Sequence, residues 1–270
     1  MSSENPYAPP ESHVEDINSM QGGNLTLAPS PRSNSAGAAW AWIKSGFSSF
    51  KASPLFWIIN MIIMFIIMIV LSLIPVLGGI ATSILNPVFM GGLMIGTYAI
   101  AQGNKMTVGH LFAGFQKHAG KLITVGALYL LGIILLLLFT AVIAYLTGGF
   151  DGFSTLMSAQ AGGNPDPAQI MAAYGNLKIA GLVYLILLFP LMFSVIFAPA
   201  LVVFHDMKAF AAMKLSFKGC VKNILSLIIW FVLIIIFIFL GAIPLGLGLL
   251  VVFPMITAST FFAYKMIFTD

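Results

Sequence analysis

The stretch that decides the fold is residues 55–77, LFWIINMIIMFIIMIVLSLIPVL, which contains no Asp, Glu, Lys or Arg. A membrane-spanning helix needs about 20 predominantly apolar residues, and this run is long enough to be one. Five further apolar runs follow it. The six predicted spans are residues 55–77, 85–101, 122–147, 179–204, 224–247 and 250–268. We therefore expect an all-α integral membrane protein with six transmembrane helices.

The composition of the whole chain agrees with this fold class. Of 270 residues, 60% are hydrophobic and 7% charged, whereas a soluble domain carries about 25% charged residues. The formal net charge of +4 comes from lysines at the ends of apolar runs, which indicates a topology signal and argues against a nucleic-acid partner. A single cysteine, Cys220, excludes an internal disulfide and a cysteine-rich metal site.

The chain divides into a tail and a membrane domain. Residues 1–39 are rich in Ser, Asn, Pro and Gly, and no basic segment leads into an apolar run. We expect a disordered cytoplasmic tail without a cleavable signal peptide, followed by a transmembrane domain over residues 40–270. Within the tail, the proline-rich stretch Asn5–Pro10 either binds a protein partner as an extended polyproline segment or is a plain linker.

The connections between spans predict three helical hairpins. Short glycine-rich segments, Gly78–Ser83 and Gly246–Gly248, join the first pair and the last pair of spans. The middle pair is separated by a polar insertion, residues 148–177, which we expect on the periplasmic side. Within it, Asp166 and Pro167 are typical of a helix start, and they predict a short helix that ends near Tyr174.

Charge placement predicts the orientation. All but one of the twelve Lys and Arg residues lie in the tail, in the 102–121 and 205–222 connections, or near the C-terminus, and Lys178 is the exception. Because short cytoplasmic loops carry the excess of positive charge, we expect both termini in the cytoplasm.

An internal repeat precedes the three hairpins. Each copy has apolar residues at i, i+4 and i+7, which share one helical face: Ile43-Phe47-Phe50, Val108-Phe112-Phe115 and Met213-Phe217-Cys220. Lysines lie on the opposite face. They are Lys44, Lys51, Lys117, Lys121, Lys214, Lys218 and Lys222. The pattern predicts three basic amphipathic helices in the cytoplasmic interface, with Trp40 and Trp42 as anchors. The lysines either bind anionic lipid headgroups or only set the orientation.

The hairpins themselves repeat. Ile74-Pro75 near the end of the first span matches Ile243-Pro244 near the end of the fifth. A pair of small residues four apart occurs in the second helix of each hairpin: Gly92 and Gly96, Ser194 and Ala198, Ser259 and Ala263. Such pairs let helices approach closely, either within one chain or between copies in a homo-oligomer.

The spans offer little chemistry. Their central regions contain no Asp, Glu, Lys or Arg, which argues against proton relays and ion-coupled carriers. His205-Asp206 is the best pair for acid–base or metal chemistry, although no third ligand has matching spacing. We expect no catalytic residue, no metal, no cofactor and no enzymatic activity. Polar residues within the spans, Asn60 among them, either join helices or line a cavity.

Three stretches carry a resemblance to known proteins: Asn5–Pro10, Asn86–Phe89 with Tyr98, and Phe197–Ala200 with Phe204–Asp206. They resemble an uncharacterised family of six-span bacterial inner-membrane proteins, which implies that location for this chain. More remotely, the plan of an interfacial helix plus a hairpin is similar to the membrane domain of glycerophosphodiester phosphodiesterases. The chain has no soluble phosphodiesterase domain, so that activity is not implied.

Two functions fit these observations. The first is a non-enzymatic module that organises lipids or protein partners at the inner membrane. The alternative is a permease or flippase-like carrier for a lipid or small apolar solute, in which the prolines of the spans provide hinged or broken helices.

Overall fold

A computed structural model describes residues 25–270, most of which are helical. The helices are α1 Ala38–Ala52, α2 Pro54–Ser72, α3 Leu77–Ala101, α4 Gly109–Phe112, α5 Ala119–Leu146, α6 Gly149–Gln160, α7 Pro167–Val195, α8 Ala198–His205, α9 Ala209–Lys222, α10 Ile224–Ala242 and α11 Leu249–Phe268. A 3-10 turn, Ala113–Phe115, follows α4.

Six stretches are long and apolar enough to cross a membrane. They are α2, α3, α5, α10, α11 and the combined stretch Pro167–His205, which contains α7 and α8. Large apolar side chains point outward from them, for example Leu138 at 60% and Phe239 at 71% exposure. Because a soluble protein rarely exposes continuous apolar patches, these faces are suited to contact lipid. The prediction of a six-span, all-α membrane protein is confirmed.

The even number of spans places several segments on one side of the bundle. These are residues 25–53, the connections from α3 to α5 and from α8 to α10, and the C-terminus. We call this the basic side, because every Lys and Arg except Lys178 is on it or at the helix ends that reach it.

Two hairpin turns show the internal repeat. Pro75 follows α2 and Pro244 follows α10, and the next residues, Val76 and Leu245, adopt left-handed φ angles of 62° and 53°. The spans predicted to end at 77 and 247 therefore end at 72 and 242, because Pro75 and Pro244 have no N–H to continue the helical hydrogen bonds. The segment Gly78–Ser83, predicted as a connection, is instead the start of α3.

The middle hairpin differs from the prediction in its insertion. Asp166 caps a helix as expected, and its carboxylate accepts a hydrogen bond of 2.7 Å from the Ala168 amide. That helix does not end near Tyr174, because α7 continues from Pro167 to Val195 without a break. The insertion also contains α6, which packs along the start of α7: a Cβ added to Gly152 would lie 2.9 Å from the Ala173 carbonyl oxygen.

The fourth span is broken between α7 and α8, a feature that the predicted span 179–204 did not include. Pro199 stands in the first turn of α8, where its missing N–H costs nothing. Ser216 of α9 stabilises the break, because its hydroxyl donates to the Phe193 carbonyl at 2.6 Å and accepts from the Phe197 amide at 3.1 Å. The break is therefore held by α9, the helix that follows α8 along the chain.

The segment before α1 is ordered, so the predicted disorder is wrong for residues 25–39. The amides of Ala28 and Arg32 donate to the Phe268 and Ile267 carbonyls at 2.8 and 2.7 Å. Those carbonyls belong to the last turn of α11 and have no partner within the helix, which explains why an extended segment binds there. Asn5–Pro10 lies outside the described residues.

Helix α1 packs closely along α11 at the core. Trp42 is fully buried, and its Nε1 donates to the Met266 sulfur at 3.2 Å. Its ring also packs edge-on against Trp230 with centroids 6.4 Å apart. The prediction that Trp42 anchors the chain in the interface is wrong, whereas Trp40 is 55% exposed.

Candidate functional site

The first and third amphipathic helices are structural equivalents. Residues 41–50 of α1 and 211–220 of α9 show the same sequence of buried, intermediate and exposed positions, residue by residue. In both helices the first and third members of the apolar triplet are buried and the central phenylalanine is exposed. Phe47, Phe112 and Phe217 are 42%, 39% and 37% exposed. Each copy therefore exposes the central phenylalanine of its triplet, and α9 also exposes Phe210 at 73%.

The second copy is shorter and departs from the predicted helix. It consists of α4, a single turn, followed by the 3-10 turn Ala113–Phe115. A Cβ added to Gly114 would collide with the Val88 carbonyl oxygen, so this copy lies against the backbone of α3. The predicted three basic amphipathic helices are thus two regular helices and one compressed turn.

The candidate headgroup lysines are on the surface of the basic side. Six of them are exposed, and Lys121 is half-buried. The exposed ones are Lys44, Lys51, Lys117, Lys214, Lys218 and Lys222. On the basic side, Arg32 forms an ion pair with Asp270 at 2.6 Å and Lys121 forms one with Asp206 at 2.7 Å, while His118 Nδ1 lies 3.2 Å from the Asp206 carboxylate. No described carboxylate neutralises the lysines of α1 and α9.

The pair His205-Asp206 does not form one site. His205 Nε2 shares a 2.6 Å hydrogen bond with the Tyr264 hydroxyl of α11, whereas Asp206 turns towards α5. The hydrogen bond from Lys121 lowers the pKa of Asp206, and burial lowers the pKa of His118. This contact joins the ends of α8 and α5. Sequence reasoning missed it because His118 and Asp206 belong to different connections.

The small residues of the three pairs lie in different surroundings. Gly92 and Gly96 lie against α4, where a Cβ on Gly92 would collide with the His110 carbonyl oxygen. Ser259, Ala263 and Ala198 are fully buried, and the Ser259 hydroxyl accepts a 3.0 Å hydrogen bond from Trp230 Nε1. Ser194 is half-buried and donates to the Pro190 carbonyl of its own helix.

A cleft of about 460 Å³ opens in the wall of the bundle beside the break between α7 and α8. Helices α3, α5 and α11 contribute its other walls. Its polar lining side chains are Thr82, Ser83, Asn86, Tyr129 and Thr260, and none of its lining residues is charged. Sequence reasoning did not identify this cleft.

Comparison with known proteins finds sequence similarity to a curated bacterial protein. It is 26% identical over 194 residues to a probable inner membrane protein of Burkholderia thailandensis, and the match covers 70% of this chain and 69% of that protein. No family model and no solved structure match the chain. The relative agrees with the expected inner-membrane location, whereas the similarity to the membrane domain of glycerophosphodiester phosphodiesterases stays a prediction.

Proposed function

We propose that this protein is a non-enzymatic module that gathers anionic lipids around its basic side at the inner membrane. The observation that carries the proposal is the equivalence of α1 and α9. Each helix exposes the central phenylalanine of its triplet and at least two lysines, and these lysines have no carboxylate partner among the described residues. A helix of this kind binds a membrane surface through its apolar residues and attracts anionic headgroups through its basic ones.

The lysines supply most of the selectivity. A Lys near an anionic membrane surface contributes about 1 kcal/mol of attraction. Five lysines on two helices, Lys44, Lys51, Lys214, Lys218 and Lys222, are held in fixed positions by the buried faces of those helices. Because the helices are already docked on the bundle, lipid binding need not offset the entropy of ordering them.

The proposed orientation has both termini in the cytoplasm, since the positive-inside rule places the basic side there. Cysteine labelling tests it, and the native thiol does not interfere: Cys220 is fully buried, and burial raises its pKa to about 12. We expect an impermeant maleimide to label Ala161→Cys, in the insertion, from the periplasm. Ser48→Cys on α1 is labelled only after the membrane is opened, and the reverse pattern contradicts the orientation.

Native mass spectrometry of detergent-extracted protein tests the lipid proposal. The protein is titrated with phosphatidylglycerol or with phosphatidylcholine, and the bound lipids are counted. We expect Lys214→Gln/Lys218→Gln/Lys222→Gln to bind fewer phosphatidylglycerol molecules, whereas the Lys→Arg triple variant and Lys178→Gln, on the opposite side, bind as the wild type does. Equal binding by all variants would contradict the proposal. The same spectra report whether the protein is a homo-oligomer.

The tail extends the proposal to protein partners. Asn5–Pro10 has the composition of a polyproline ligand, and it precedes in sequence the segment 25–37, which lies on the basic side. Crosslinking in cells with and without residues 5–10 tests this. Loss of a specific crosslinked protein on deletion would support a partner of the tail, and an unchanged set of crosslinked proteins would contradict it.

The second candidate is a carrier for a lipid or small apolar solute. It is favoured by one observation, the uncharged cleft beside a broken helix. Reconstituted vesicles that scramble a labelled lipid would support a carrier, whereas sealed, inactive vesicles would favour the lipid-gathering module.

A further inference from the structure

The cleft beside the α7–α8 break lies near the middle of the membrane. Asn86 is nine residues from the start of α3 on the far side, about 14 Å along the helix. Tyr129 is ten residues from the start of α5 on the basic side, about 15 Å along that helix. Because the two helices enter from opposite sides, both side chains reach similar depths in the hydrocarbon, which is about 30 Å thick.

The serine and threonine hydroxyls of the cleft are already used as donors. Thr82 and Ser83 donate to the Gly79 carbonyl at 3.0 and 2.8 Å, and Thr260 donates to the Ile256 carbonyl at 3.0 Å. Each side chain therefore satisfies itself against its own helix, as hydroxyls often do in an apolar helix.

Asn86 and Tyr129 are different. Neither side chain makes a hydrogen bond to any residue from 25 to 270, although both line the cleft. An amide and a phenol in hydrocarbon without partners are costly, because no water is present to satisfy them. The Asn86 N–H and Tyr129 O–H groups can therefore donate to a ligand, whereas the other hydroxyls of the cleft already donate to carbonyls of their own helices.

The cleft is accessible from the lipid. Asn86 is exposed, and Met192 on the opposite wall is 39% exposed. Met90 adds a second flexible thioether, a side chain that adapts to ligands of irregular shape. The volume of about 460 Å³ is within the range of small-molecule sites.

From this geometry we infer that the cleft binds one neutral, membrane-soluble molecule with carbonyl or ester oxygens in its head and an apolar tail. The oxygens accept hydrogen bonds from the Asn86 amide and the Tyr129 phenol, and the tail leaves the cleft between α3 and α7 into the bilayer. A charged head is excluded, because no lining residue offers it a counter-ion. This inference goes beyond the proposed function and uses none of the lysines that carry it.

Two classes of lipid have uncharged carbonyl or ester oxygens in the head and an apolar tail. They are quinones with an alkyl tail and diacylglycerols. Binding of decylubiquinone and of dioctanoylglycerol to the purified full-length protein is therefore measured by native mass spectrometry and by quenching of tryptophan fluorescence. We expect one equivalent of at least one of them to bind, and the better ligand identifies the head. Dodecane, which has no oxygen, should not compete. Failure of both probes to bind, or competition by dodecane, would overturn the inference.

Variants decide whether the bound probe uses this cleft. Asn86→Leu and Tyr129→Phe each remove a donor while they keep an apolar side chain of similar size, and each should weaken binding roughly 3- to 10-fold. Tyr145→Phe, on the same helix but outside the cleft, is the matched control and should bind as the wild type does. A thermal melt of each variant establishes that it is folded. Unchanged affinity in both cleft variants would refute the assignment, whereas the triple Lys→Gln variant should bind the probe normally.

Discussion

The contact between α1 and α11 gives the sharpest mutational prediction. Gly46 lies on the buried face of α1, and a Cβ added there would collide with the Met255 carbonyl oxygen and lie 2.8 Å from the Ser259 backbone nitrogen. Both atoms belong to the backbone of α11, so no side chain can rotate away to make room. Gly46→Ala must therefore separate the two helices or leave the alanine strained.

The magnitude follows from the cost of overpacking, which is typically 1–3 kcal/mol. For a chain of this size, about 2 kcal/mol corresponds to a fall in the apparent Tm of roughly 4–8 °C. Scanning fluorimetry in detergent measures it, since the nearby Trp42 and Trp230 report on the core. Gly181→Ala is the matched control, because a Cβ there meets no atom within 4 Å, and its Tm should be equal to or slightly above that of the wild type. If Gly46→Ala and Gly181→Ala have the same Tm, α1 does not pack against α11 as described, and the docked arrangement is refuted.

Two further perturbations test the basic side. Ser216→Ala removes both hydrogen bonds at the α7–α8 break and should cost about 1–3 kcal/mol, measured as a lower Tm, whereas Ser48→Ala on the exposed face of α1 should leave it unchanged. Asp206→Asn tests the contact between α8 and α5: because Lys121 lowers the pKa of Asp206 in the folded protein, the carboxylate stabilises the fold above its unfolded pKa near 3.8, and this contribution is lost as the pH falls through the folded pKa. The variant should therefore melt below the wild type at pH 7, and this difference should shrink as the pH falls below 3.8. A difference that does not shrink would contradict this origin.

Much of the membrane architecture follows from the sequence. The six spans are fixed by their apolar length, and the Ile-Pro pairs at 74–75 and 243–244 mark turns that the structure forms in the same way, with a left-handed residue after each proline. The spacing of the triplets correctly identified the outward lysine face of α1 and α9. These features depend on local patterns, which sequence reasoning detects well.

The remaining features depend on contacts between distant segments. Amphipathicity showed that α1 has an apolar face, but not that this face meets α11 in place of lipid, so Trp42 was assigned to the wrong environment. The order of residues 25–37 comes from backbone amides that cap α11, for which composition carries no signal. The cleft combines Asn86 and Tyr129 from separate spans, and each polar residue alone resembles an ordinary helix contact.

The lipid composition around the protein in its own membrane decides whether the basic side gathers anionic lipid. Wild-type protein, the Lys214→Gln/Lys218→Gln/Lys222→Gln variant and Lys178→Gln are extracted with surrounding lipid in a styrene–maleic acid copolymer, and the ratio of anionic to zwitterionic lipid is measured in each particle. The proposed function predicts that wild type and Lys178→Gln are enriched in anionic lipid over the bulk membrane and that the triple variant loses most of this enrichment. A wild-type ratio equal to that of the bulk membrane would contradict it.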